Sequence, residues 1–150
     1  MKNSFALLGL MLSLALALSA CQTSPDGAAI AIEGAWGRPS PKVATAGAFY
    51  LLIKNTGNEA DKLLSGTSSA CGTVELHESY LTDEGAMGMR PVEGGFIEIL
   101  AGGQVELKVG GLHIMCIDKL KDFDAGVMMP LTLNFEKSGE ITLEVEIREP

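Results

Sequence analysis

Basic side chains are scarce in this chain. Eleven Lys and Arg stand against nineteen Asp and Glu in 150 residues, for a formal net charge of −8. Such a surface cannot neutralise a phosphate backbone, which excludes nucleic acid as a partner, and it disfavours adsorption to anionic headgroups. No 3.6-residue apolar stripe runs through the sequence, so a helical bundle is excluded. Nucleophile-elbow glycines, a recognisable triad and a zinc-protease helix are all missing, which argues against hydrolytic catalysis. There is no internal repeat. Histidine occurs only twice, at His77 and His113, so any imidazole chemistry must use these two positions.

The one long uncharged run, residues 5–18 after Lys2, is too short for a comfortable bilayer span and has the length of a secretory h-region. It ends in Leu18-Ser19-Ala20-Cys21, which resembles the lipobox of exported bacterial lipoproteins. Residues 1–20 are thus expected to be removed as a signal peptide. The Cys21 thiol would carry acyl chains that hold the protein at a membrane surface without a spanning helix. Residues 21–29, polar and small with Ser24-Pro25-Asp26-Gly27 as a breaker, form a tether. Residues 30–150 form one domain.

Two further cysteines remain, Cys71 and Cys116. In an oxidising compartment a pair can form a disulfide. The rival reading makes Cys116, next to Met115, a thiolate ligand, and spacing alone leaves both open.

Short apolar alternations recur along the domain. Strands are predicted at 30–36, 46–54, 62–67, 73–79, 96–100, 104–109, 112–118, 131–137 and 141–148, with Gly- and Asn-rich turns between them. A short helical turn is expected near 119–124. Many short strands with regular turn signals predict an all-β Greek-key sandwich or barrel.

The chemistry gathers around the histidines. His113 and Met115 are two apart on a predicted strand and so share a face. Met87 and Met89 stand in the same relation about Gly88, and Thr82-Asp83-Glu84-Gly85 offers a turn that could return them beside His77. Asp83 and Glu84 read as solvated turn residues, and Met128 and Met129 as packing. Thioether sulfur is soft and neutral, and with imidazole it suits Cu(I) while discriminating against zinc and hard cations. Neither group is lost to disulfide formation outside the cytoplasm.

Val74-Glu75-Leu76-His77-Glu78, Met87-Gly88-Met89-Arg90-Pro91-Val92 and Gly110-Gly111-Leu112-His113-Ile114-Met115 together resemble the periplasmic copper chaperones of the PCuAC (DUF461) family. Ala35-Trp36-Gly37-Arg38 and Phe135-Glu136-Lys137 extend the likeness over residues 30–148. The resemblance implies a cupredoxin-like fold, a Cu(I) site of His77, Met89, His113 and Met115 with Met87 as the rival of Met89, and no enzymatic activity. It also implies delivery of copper towards cytochrome c oxidase, to its copper subunit or a Sco-type chaperone. Two other classes compete: an electron-transfer cupredoxin, which needs a His₂Cys set, and a β-sandwich scaffold without metal.

Overall fold

The computed structural model describes residues 26–150. The expected leader, Cys21 and most of the tether lie outside the described residues.

Ten strands are formed among the described residues. They are β1 (Ile30–Arg38), β2 (Ala46–Asn55), β3 (Asp61–Thr67), β4 (Cys71–Leu81), β5 (Met87–Pro91), β6 (Ile97–Ile99), β7 (Gln104–Leu107), β8 (Leu112–Lys119), β9 (Met128–Phe135) and β10 (Gly139–Ile147). The order is β5-β4-β8-β2-β1-β10-β9-β3-β6, with β7 also on β2. The sheet folds over so that β3 comes against β4, making an open sandwich. The all-β architecture expected from the sequence is what the structure has.

Alternation along each strand decides what is buried. Phe49, Leu51 and Ile53 of β2 point into the core, as do Met129, Leu131, Leu133 and Phe135 of β9 and Val145 and Ile147 of β10. On the other face of β9 and β10, Thr132 and Thr142 share a hydrogen bond at 2.9 Å. β1 links the two layers. It pairs antiparallel with β2, shifts register between Glu33 and Trp36, then runs parallel to β10 at Trp36 and Gly37. Gly34, at φ +59°, stands in this bulge, where a side chain would be strained.

Two buried polar residues tie the turns. The Asn55 side chain accepts from the amides of Ala29 and Gly57 and donates to the carbonyls of Glu59 and Ile99, so all its capacity is used. Residues 27–29, the end of the predicted tether, are thereby fastened to the end of β2. Asp61 accepts from the amides of Lys62, Lys137 and Ser138 and from the Ser138 hydroxyl, locking the β9–β10 turn onto β3. Burial opposes ionisation of Asp61, yet these four hydrogen bonds overbalance it and hold its carboxyl below the ordinary value. The sign follows. A depressed native pKa contributes stability that is full above the unfolded value, about 3.9, and is lost as pH falls through the native one. Asp61→Asn should therefore cost about 1–3 kcal/mol at pH 7. Urea midpoints of the two proteins should draw together progressively as the titration is repeated at falling pH below about 4. A gap that persists unchanged there would refute the role of the charge.

Three expectations need correction. Residues 120–124 bend without forming a helix, and the one helical turn among the described residues is at Glu93–Gly95. Phe123 explains the bend, since its ring drops onto Gly47 of β2, where any Cβ would collide with it. Met129 is fully buried as expected, but Met128 is half exposed at the start of β9 and is not packing. β5 was not among the predicted strands. Met-Gly-Met-Arg-Pro has no β-branched residue and ends in proline, which only an edge strand tolerates, and β5 is an edge.

Candidate metal centre

The register of three adjacent strands builds the site. β4 and β8 pair His77 with His113 and Glu75 with Met115. β4 and β5 pair Ser79 with Met89 and Leu81 with Met87. Opposed residues share a face, and so do residues two apart. Glu75, His77, Met87, Met89, His113 and Met115 therefore all stand on the outward face of one layer. Leu76, Ile114 and Cys116, in the intervening positions, are buried in the core. That apolar alternation compels the histidines outward.

Outward does not mean exposed. His113 is only 2% accessible. Its ring lies 5.9 Å from that of His77 and 6.3 Å from that of Tyr50, and Trp36 stacks behind Tyr50 at 4.7 Å. The His113 Nδ1–H donates to the Gly111 carbonyl at 2.9 Å, and the Ser79 amide donates to the same oxygen. The His77 Nε2–H donates to Glu75 Oε2 at 2.8 Å. This leaves His113 Nε2 and His77 Nδ1, both buried and both without a partner. Burial first, and the neighbouring His77, push the His113 pKa below its ordinary value against the pull of the Gly111 carbonyl, so the neutral ring is favoured. Burial raises the Tyr50 pKa, opposed by Arg38.

A buried polar atom without a partner costs about 1–3 kcal/mol, and two on neighbouring rings, set edge to face at 67°, could be satisfied by a metal ion or by water. A metal sits about 2 Å from a ring nitrogen, which places the centres of two imidazoles sharing one ion no more than about 6.5 Å apart. The observed 5.9 Å meets that limit.

Thioethers stand on the same face. A groove of about 590 Å³ is lined by His113, Met115, Met87, Met89, Ser79 and Tyr50, with the 38–41 and 109–110 segments as its walls. Met87 and Met89 are each 61% exposed. Met89 is the nearer to His77 along the ladder, while the Met87 methyl lies over Gly110. Their hairpin is stiffened from behind. The Tyr80 ring packs on Gly88, where a Cβ would clash, and Arg90 covers Tyr80 while bonding Glu78 at 2.7 Å. Asp83 and Glu84 are exposed in the turn.

Cys71 and Cys116 are joined in a disulfide, with Cα atoms 5.3 Å apart. The bridge links β4 and β8 on their core face, so Cys116 points away from Met115 and presents no thiolate to the groove. Among the described residues no three His, Cys, Asp or Glu side chains gather as a metal site. The groove is lined by three thioethers and the His113 imidazole, with the His77 ring 5.9 Å from that of His113 but outside the lining, donor types that suit a soft ion. Sequence reasoning missed Glu75, Tyr50 and the Gly111 carbonyl as parts of the site. For Glu75 a signal existed, since it stands two residues from His77 on a strand.

Comparison with known proteins places the domain. The family described as "Putative lipoprotein LpqE-like" matches residues 30–147. Putative lipoprotein Lxx21020 of Leifsonia xyli subsp. xyli (strain CTCB07) is 33% identical over 97 residues, 65% of this chain and 57% of its own length. The chain thus spans under two thirds of that relative. Uncharacterized protein RP573 of Rickettsia prowazekii (strain Madrid E) is 29% identical over 126 residues, 82% of this chain and 68% of its own. Among solved structures, the copper-bound PCuAC domain from PmoF2 superposes with a TM-score of 0.65 at 26% identity, covering 81% of this chain and 93% of that one. Apo-DR1885 from Deinococcus radiodurans, at 18% identity, TM-score 0.60 and coverage of 100% and 97%, shows the shared fold. The resemblance to PCuAC domains read from the sequence is borne out.

Proposed function

We propose that this chain, which belongs to the LpqE-like lipoprotein family and has the PCuAC fold, is an extracytoplasmic chaperone that binds one Cu(I) and passes it on by ligand exchange. The observation that carries this reading is the pair of buried, unpartnered nitrogens on neighbouring imidazole rings 5.9 Å apart, with thioethers on the same sheet face. The PmoF2 domain, a PCuAC domain solved with copper bound, supports the metal. The thioethers favour the monovalent state.

The proposed ligands are His77, His113 and Met115, with Met89 as the fourth. Exposed thioethers at a groove mouth suit exchange, because an incoming donor can displace Met89 while the imidazoles still hold the ion. The acceptor on this reading is the copper subunit of cytochrome c oxidase or a Sco-type chaperone, and the role is transfer without catalysis. Residues 1–20 are removed and Cys21 carries the lipid. The tether meets the domain at the Asn55 end of β2, whereas the site lies beside Ala48, seven residues away and thus roughly 20 Å along the strand. The groove therefore lies towards the other end of β2 from the point where residues 27–29 join the domain.

Anaerobic titration with Cu(I) against a competing chelator tests the proposal. About one equivalent should bind tightly. Met89→Leu should weaken binding about tenfold and Met87→Leu by less, since Met89 is diagonal to His77 on the ladder. The reverse ranking would make Met87 the ligand. Failure of the unaltered chain to bind would end the copper reading.

A further inference from the structure

We infer that Glu75 is a positioning residue that fixes which nitrogen of each histidine meets the metal: Nδ1 of His77 and Nε2 of His113. The inference rests on the copper reading above and adds an atomic assignment to it. A carboxylate only accepts, so the 2.8 Å contact places the hydrogen of His77 on Nε2 and its free lone pair on Nδ1. The Gly111 carbonyl does the opposite for His113, holding the hydrogen on Nδ1 and freeing Nε2. The two atoms thus freed are the two buried without partners. The site is consequently asymmetric, and the asymmetry is set by what stands behind each ring.

The backbone makes Glu75 suited to this. It shares the face of His77 two residues along β4 and lies directly across from Met115 of β8. Its carboxylate reaches the edge of the ring remote from the free nitrogen, so it supports without blocking. Its side chain is 44% exposed while that of His77 is 12% exposed, so it also screens the ring from water at that edge. A carboxylate hydrogen-bonded behind a ligating imidazole locks ring orientation and strengthens the donor, and losing such a contact typically lowers metal affinity 10–100-fold.

The experiment uses the mature chain with ¹⁵N-labelled histidine. Long-range ¹H–¹⁵N spectra of the apo protein should show His77 protonated at Nε2 and His113 at Nδ1. Loading with Ag(I), a spin-½ mimic of Cu(I), should then give silver coupling at His77 Nδ1 and His113 Nε2. In Glu75→Ala, Cu(I) affinity should fall 10–100-fold and His77 should lose its single tautomer, while His113 keeps its own and its silver coupling. Glu75→Gln, whose amide oxygen still accepts, should recover most of the affinity and the His77 tautomer. Silver coupling at His77 Nε2 in the unaltered chain would overturn the inference and leave the copper reading standing. So would unchanged affinity in Glu75→Ala, or failure of Glu75→Gln to recover it, the latter making Glu75 itself a ligand. Absence of metal binding in the unaltered chain would remove the copper reading instead.

Discussion

His113→Leu should abolish tight Cu(I) binding, lowering affinity more than about a hundredfold, the most that losing a merely supporting contact costs. His113 is the best prepared of the four proposed ligands. It is almost fully buried, its ring is oriented by the Gly111 carbonyl, and burial favours the neutral ring that a metal requires. Leucine fills similar space, so the substitution separates binding from folding. The apo variant should be nearly as stable as the parent, because it removes an imidazole nitrogen that is buried without a partner. That gain offsets the donor lost to the Gly111 carbonyl, which the Ser79 amide still satisfies. The paired measurements are a chelator-competition titration and a urea unfolding curve. Unchanged Cu(I) affinity would refute the assigned role. A large loss of apo stability would show that the ring serves the fold more than the metal.

Replacing both bridging cysteines by alanine should destabilise the domain by about 4–5 kcal/mol. The bridge closes a loop of sequence separation 45, for which the chain-entropy relation gives about 4 kcal/mol at 25 °C. Both sulfurs lie in the core, so truncation also removes packing between β4 and β8. Copper affinity of the folded fraction should change little, because the ladder from Glu75 to Glu78 against Leu112 to Met115 persists without the bridge and the ligands stand on the opposite face. Urea midpoints of the oxidised parent and the double variant test the first part, and Cu(I) titration at low temperature the second. Thiol labelling of both positions in the native parent would refute the bridge. A collapse of affinity with the fold intact would mean that the bridge sets the spacing of the two imidazoles.

Much of the fold was readable in the chain because strand burial is a local code. Phe49, Leu51 and Ile53, or Leu131, Leu133 and Phe135, announce an inner face with no knowledge of the neighbours. The same code shows that His113 shares a face with Met115, since Ile114 between them goes inward. It fails where a segment is stabilised by its neighbour. Met87–Pro91 becomes a strand only by pairing with β4, and residues 120–124 bend because Phe123 finds the gap over Gly47.

The order of residues alone gives the candidate donor types, two imidazoles and soft thioethers. It also gives the all-β class, the outward alternation of the proposed ligands, and the leader and lipobox signature of export. Tertiary structure alone decided the rest. It set His77 across from His113, buried the His113 ring, turned Cys116 into the core as a bridge, and placed Glu75 and Gly111 behind the rings so that one nitrogen of each is without a partner. The reason is physical. Alternation is written every two residues along one strand, whereas which residues face each other depends on register between strands distant in sequence. That register follows from the total burial of the core and from no segment alone.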